Sequence, residues 1–230
     1  MPEGPETRRM ADSISKSLVG KKILSFNFFH ESLKTLNNRS RVSVKESLSR
    51  GKAVLIRING GQSIITHNQL YGKWTFHRPD TQVKTNRQLR IEFITEKKAV
   101  RLWSATDIVL CKTSDELSHS YISKIGPDVL DDSTSSTTIL DRLNSKKFRN
   151  DYPFSDASIL SGLTAYEMSS SGIPSDVSKA YELAFPNLSR ETNFIDSWNS
   201  FDDYESRLGF ISAIKGKLFE VKYLDHLNNN

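Results

Sequence analysis

The sequence describes an α+β protein. An N-terminal helix packs on an antiparallel β-sandwich or barrel, and an atypical, mainly helical segment follows. Three observations carry this. An apolar stripe of helical period opens the chain, short alternating runs fill Lys22 to Lys112, and after Asn150 helical spacing returns while the charge changes sign.

The first helix is expected over residues 5–19. Pro5 suits the first helical position, where its missing N–H costs nothing. Met10, Ile14 and Leu18 repeat at i, i+4 and i+8 to give one apolar face, and Val19-Gly20 supplies the stop. Strands are expected at Ile23–Phe29, Arg41–Leu48, Ala53–Ile58, Ser63–Thr66, Leu89–Ile94, Val100–Trp103 and Ile108–Cys111. Asn59-Gly60-Gly61 marks a tight hairpin between two of them. A short helix is expected over 136–146. Further helices are expected over roughly 156–168, 175–184 and 202–228, broken by Gly172-Ile173-Pro174 and Phe185-Pro186.

The chain has 230 residues, enough for one large domain or two small ones, and the change in character places the division at 150/151. Residues 1–150 carry 26 Lys and Arg against 15 Asp and Glu, whereas residues 151–230 carry 6 against 12. A basic first part suits a polyanion such as DNA, although a merely solvated basic surface reads the same way on charge alone. The single cysteine, Cys111, excludes a disulfide framework within the chain and any multi-cysteine zinc site. His30, His67, His77, His119 and His226 show no ligand spacing, so no metal or other cofactor is expected. No run of eighteen apolar residues suggests a membrane span, and no signal pattern opens the chain. A cytoplasmic protein is expected.

The opening Met-Pro-Glu-Gly-Pro-Glu concentrates chemistry in six residues. Removal of Met1 would expose a secondary amine at Pro2. An α-amino group titrates near ~8, against ~10.4 for lysine, so much of it is unprotonated and nucleophilic at neutral pH. Such an amine attacks a sugar aldehyde carbon to give an iminium, an electron sink that makes elimination of neighbouring phosphates feasible. Glu3 beside it is placed to move protons. Gly4 permits a sharp turn, and Glu6, in the first helical turn, either orients the amine or answers the helix dipole. Spacing alone favours a plainer reading, an N-terminal cap with acidic first-turn residues.

These six residues resemble the opening of the formamidopyrimidine-DNA glycosylase/endonuclease VIII family. Other segments fit in the same order: Arg50-Gly51-Lys52-Ala53, His67-Asn68-Gln69-Leu70-Tyr71-Gly72, Ser104-Ala105-Thr106-Asp107, Gly126-Pro127-Asp128-Val129-Leu130 and Phe148-Arg149-Asn150. The resemblance covers residues 1–150 and lies closer to endonuclease VIII. It implies that Pro2 is the Schiff-base nucleophile, Glu3 the general acid/base, and Lys52 the contact to the phosphate beside the lesion. Arg50 and Asn68 are implied in DNA binding, with supporting roles for Glu6 and Asp128. The Gln69-Leu70-Tyr71 loop resembles the family's void-filling loop. An enzyme acting on a base must take it out of the stack. Leu and Tyr suit packing in the resulting hole, and Gln can hydrogen-bond the orphaned base. The plainer alternative is a hairpin tip with two apolar residues folded inward.

The resemblance breaks after residue 150. The family continues with a helix–two-turn–helix module and a zinc finger, and a four-cysteine finger cannot be built from Cys111. Asp156 to Tyr166 echoes the entry to the helical module, but Thr164-Ala165 stand where the family carries Gly-Asn, which reads as chance similarity. Residues 151–230 are therefore expected to be unrelated to the family. The Glu-x-Lys of Phe219-Glu220-Val221-Lys222 reads as part of an amphipathic helix rather than a nuclease motif. The function implied is that of a base-excision-repair glycosylase with abasic-site lyase activity, acting on oxidised pyrimidines in damaged double-stranded DNA by β,δ-elimination. Two alternatives stand beside it: a truncated or fused remnant with weak DNA binding and little turnover, and an interaction protein in which residues 151–230 bind a protein partner.

Overall fold

The computed structural model describes residues 2–148, 158–164 and 173–227, the last six of these as backbone only. The chain forms two compact units, one made of Met1–Pro2 and Thr7–Ser123, the other of Glu3–Glu6 and Lys124–Asn230. The division falls at Ser123/Lys124, whereas the change in composition suggested 150/151, a point outside the described residues. The reason is packing. Val129, Leu130, Ile139, Leu140, Leu143 and Phe148 share one apolar cluster with Val177, Phe210 and Ile214 of the helical part.

Helix α1 (Gly4–Leu18) opens the chain, followed by β1 (Ile23–Phe28), β2 (Val44–Arg50), β3 (Ala53–Ile58), β4 (Gln62–His67), β5 (Lys73–His77), β6 (Leu89–Thr95), β7 (Ala99–Trp103) and β8 (Asp107–Lys112). They form two four-stranded sheets, ordered β1-β6-β7-β5 and β2-β3-β4-β8, with every pair antiparallel. Alternation decides which side chains meet. Val54, Ile56 and Ile58 of β3 join Ile64, Ile91, Phe93, Val100 and Leu102 in a core fed by both sheets. Ala53 and Leu55 point the other way and pack with Ile65 and Ile122. Ala11, Ile14 and Leu18 of α1 are fully buried in the main core, and Met10 packs at its margin.

The expected α+β architecture and most strands are present, with informative differences. The Asn59-Gly60-Gly61 turn joins β3 to β4, with both glycines at positive φ (84° and 66°). β2 starts at Val44 rather than Arg41 and runs on to Arg50, with a register shift between Val44 and Glu46. β5 was not foreseen, nor was the 3-10 helix at Glu31–Asn38 that buries Leu33 and Leu36.

The second unit contains α2 (Ser136–Asn144), α3 (Ser175–Ala184), α4 (Phe194–Asn199) and α5 (Tyr204–Leu227). Ser135 and Asn193 cap α2 and α4, each accepting a backbone N–H at 3.0 Å through its side-chain oxygen. Phe210 of α5 sits among Tyr181, Phe185, Phe194, Trp198 and Phe201, and the Tyr181 hydroxyl bonds Ser197 at 2.7 Å. Residues 158–164 are turns and a short parallel bridge, Asp128 to Ser161, instead of part of the helix expected over 156–168. The rest of that expected helix, like Arg149-Asn150 and Gly172, lies outside the described residues. Among those described, no helix is long and apolar enough to cross a membrane.

Asp176, in the first turn of α3, gives the second unit a pH dependence. Its buried carboxyl accepts the Thr164 N–H at 3.0 Å and the Val177 N–H at 3.2 Å, yet burial pushes its pKa up to about 6 from an ordinary 3.8. A carboxyl whose folded pKa is raised holds its proton more tightly when folded. Its contribution therefore weakens as pH rises from 3.8 through 6, by about 3 kcal/mol at about 1.4 kcal/mol per pH unit. Unfolding measured at pH 4.5 and 7.5 should show Asp176→Asn gaining on the wild type at the higher pH. An equal pH dependence in both proteins would contradict this origin.

Candidate functional site

The site is built first from the turn that begins α1. Glu3 precedes the first helical residue, and its backbone N–H donates to Glu6 Oε2 at 3.0 Å. This is the reaching-back half of a capping box, so the plainer capping reading of Glu6 describes the geometry. Pro5 is the second helical residue, not the first, and still falls in the turn whose N–H groups have no helical partner. Glu6 is exposed, Pro2 half-buried, and Glu3 only 4% exposed. Gly4 explains how the turn is seated. Its N–H points to the Leu163 carbonyl at 3.4 Å, and a Cβ on it would lie 2.0 Å from the Gly162 carbonyl carbon. Gly162 itself has φ +96°, a conformation that glycine adopts without strain. Asp128 belongs to the same loop cluster. It is 3% exposed, its Oδ1 accepts the Leu130 N–H at 2.9 Å, and its neighbour Val129 donates to the Ser161 carbonyl at 3.0 Å. Its role here is to fix a turn.

Lys52 lies in the β2–β3 turn beside Gly51, which has φ +55°. The Lys52 backbone N–H donates to the Tyr121 hydroxyl at 3.0 Å, and the Tyr121 ring meets His67 edge-on at 4.8 Å. Pairing places Ala53, His67 and Asp107 in one row across β3, β4 and β8. Burial holds the His67 pKa below its ordinary 6.5. Asp107 opposes that shift, and the positive charges of Lys52 and His119 add to it. The Gln69 N–H donates to His67 Nδ1 at 3.3 Å, which makes that nitrogen an acceptor. The cluster is thus a lysine ammonium beside a neutral imidazole. Arg50 is half-buried at the same turn, with Nη1 on the Ser49 carbonyl at 3.4 Å.

The loop that leaves His67 carries Gln69, Leu70 and Tyr71, the residues expected to act as a wedge. Leu70 and Tyr71 are 72% and 68% exposed, so the alternative of a tip folded inward does not hold. Gln69 adopts φ +49°, uncommon for a side-chain-bearing residue, and its Oε1 accepts the Thr106 hydroxyl at 3.1 Å. Asn68 differs from its neighbours. It is 3% exposed, with Nδ2 on the Met10 sulfur at 3.2 Å and its carbonyl on the Gly72 N–H at 2.7 Å, so it braces the loop from beneath. A side chain at Gly72 would strike that carbonyl at 2.6 Å.

The predicted residues therefore fall into two groups. Pro2, Glu3 and Glu6 belong to one turn; Lys52 and His67 meet beside Tyr121, with Gln69, Leu70 and Tyr71 on the loop beyond. Tyr121 and His119 were not foreseen, because they lie in an irregular stretch after β8 with no motif to mark them. Among the described residues, no three His, Cys, Asp or Glu side chains are grouped to hold a metal.

Residues 1–106 match the family model of the formamidopyrimidine-DNA glycosylase N-terminal domain. Endonuclease 8 of Klebsiella pneumoniae is 36% identical over 171 residues, which is 72% of this chain and 65% of that protein. Endonuclease 8 of Shigella flexneri is 36% identical over 151 residues, 65% of this chain and 57% of that protein. The match thus spans less than two thirds of these curated relatives. In fold, the Lactococcus lactis formamidopyrimidine-DNA glycosylase, crystallised with DNA containing N7-benzyl-Fapy-dG, superposes with a TM-score of 0.57 at 16% identity, over 97% of this chain and 80% of that one. Coverage so broad takes in described residues of the helical unit, and at this identity the likeness there is one of fold alone. With six motifs in the family's order, and residues 1–106 matched by the family model, the N-terminal part of the chain is similar to the formamidopyrimidine-DNA glycosylase/endonuclease VIII family.

Proposed function

We propose that the chain is a base-excision-repair DNA glycosylase with abasic-site lyase activity, acting on oxidised pyrimidines in double-stranded DNA. The observation that carries this reading is the seated N-terminal turn, with a proline amine next in sequence to a buried carboxyl at a helix N-terminus. Once Met1 is removed, the Pro2 nitrogen attacks C1′ of the lesion nucleotide. The C1′–N bond to the base breaks, and Glu3 supplies the proton that lets the base leave. Ring opening gives an iminium between Pro2 and C1′. Loss of a C2′ proton then expels the 3′ phosphate, and a second elimination expels the 5′ phosphate. Water hydrolyses the remaining imine and frees Pro2.

The other residues serve binding. Lys52 offers an ammonium to a phosphate beside the lesion, and the neutral state of His67 leaves that charge uncontested by a second cation on the ring. Leu70 and Tyr71, exposed on a braced loop, suit insertion into a stack from which a base has been turned out.

Borohydride trapping on abasic duplex DNA tests this. Wild type should form a covalent adduct, and Pro2→Ala should lose it by about two orders of magnitude. Glu3→Gln should lower base removal by about 10²–10⁴-fold, with a smaller loss of trapping on DNA that is already abasic. No adduct with wild-type protein whose mature terminus is Pro2, or an undiminished adduct in Pro2→Ala, would overturn the assignment.

A further inference from the structure

Two backbone irregularities of the first unit converge beside the Tyr71 loop, and neither is explained by the chemistry above. The β6–β7 ladder pairs Leu89 with Trp103 and Ile91 with Leu102, so Arg90 is the extra residue of a β-bulge. Across from it Ser104 adopts φ +52°, outside the usual range for a residue with a side chain, with its N–H held by the Gln88 carbonyl at 2.7 Å. Bulges re-aim side chains and are common beside functional sites, and local strain of this kind persists where the surroundings enforce it.

Here both irregularities face one cleft of about 440 Å³, lined by Tyr71, Asn86, Arg87, Gln88, Arg90 and Ser104. The Arg90 Nε is buried and meets no acceptor among the described residues. A guanidinium N–H withdrawn from solvent without an acceptor is costly, and such a donor marks a place where an acceptor is supplied from outside. Arg87 donates through one Nη to the Tyr71 carbonyl, which leaves its other donors for the cleft. The described lining holds two guanidinium groups, two side-chain amides and two hydroxyls, and no carboxylate. That donor set matches a phosphate, which guanidinium groups bind in a fork geometry.

We propose that this cleft is a further phosphate subsite, in which Arg90 and Arg87 hold a backbone phosphate of the DNA flanking the position filled by Tyr71. The inference rests on the DNA-binding reading of the preceding section. Arg87 serves twice over, tying the backbone of the wedge residue to the phosphate that the cleft receives. The bulge is the device that turns Arg90 out of the ladder to reach it.

The test is equilibrium binding of the full chain to duplex DNA bearing an unreactive abasic-site analogue, titrated over salt of about 50–200 mM. Arg90→Gln should lower the slope of log K against log salt by about 0.9, the value of one lost phosphate contact. Arg90→Lys should retain the slope and bind more weakly, because it keeps the charge and loses the fork. Replacing single phosphates by neutral methylphosphonates should reveal one position whose loss weakens wild type about tenfold and leaves Arg90→Gln unchanged. Arg87→Gln, at an exposed residue, repeats the measurement should Arg90→Gln unfold. A wild-type slope in both glutamine variants, or methylphosphonate losses that simply add to that of Arg90→Gln at every position, overturns the subsite. If wild type traps on abasic DNA while the subsite fails, the functional reading stands. If wild type neither traps nor binds, both fall.

Discussion

Gly4 lies against the backbone of Gly162, at a separation that leaves no room for a Cβ on the first residue of α1. The contact joins two segments far apart in sequence, and it seats the residues that carry the proposed chemistry. Around it the loop is closely tied: Gly126 would meet the Ile159 carbonyl oxygen at 1.8 Å if it bore a side chain, Ser161 donates its N–H to the Pro127 carbonyl at 3.0 Å, and the Asp128 carboxylate holds the next turn. Gly4 and Gly126 thus let backbones approach where side chains would hold them apart, and Gly162 leaves room for the Asp128 carboxylate. The capping bond from the Glu3 N–H to Glu6 then fixes the direction in which the chain enters the helix. A nucleophile at a chain terminus has little else to position it, and termini fray unless tied down.

Much of the fold could be read from periodicity. β3 and α3 coincide with their expected limits, because each combines a clean apolar pattern with clear flanking signals, Asn59-Gly60-Gly61 after β3 and Pro174 before α3. β5 escaped notice because only Trp74 and Phe76 alternate in it, directly after a loop motif that drew a functional reading. α4 is six residues long, too short for a helical period to declare itself, and is identified by its Asn193 cap. The compact units divide at Ser123/Lys124 while composition changes at 150/151, because composition reports the surface and compactness follows which apolar residues share a core.

The candidate site was legible in a different way. Residue types at Pro2, Glu3 and Lys52 gain meaning from their order within a set of motifs rather than from local spacing, which on its own favoured a cap. The cap is there as well: Glu6 holds the helix entry, while the proposed chemistry falls to Pro2 and Glu3. The Gln69-Leu70-Tyr71 loop, the proposed wedge, divides its residues in the same way. Asn68 is buried to brace it, and Leu70 and Tyr71 are left exposed at its tip. Tyr121, His119 and Arg90 could not be read from sequence, since their relevance arises from tertiary neighbours and from a ladder irregularity.

The claim that a glycine–glycine backbone contact positions the N-terminal amine is tested most directly by single-turnover borohydride trapping of Gly4→Ala on abasic DNA. On helix propensity alone alanine would stabilise α1 by up to about 1 kcal/mol, so any loss reports the contact rather than the helix. Adduct formation should slow by about 10²-fold, the cost of displacing a reacting group by about an ångström, with the β-sheet unit still folded by circular dichroism. Trapping at the wild-type rate would contradict it.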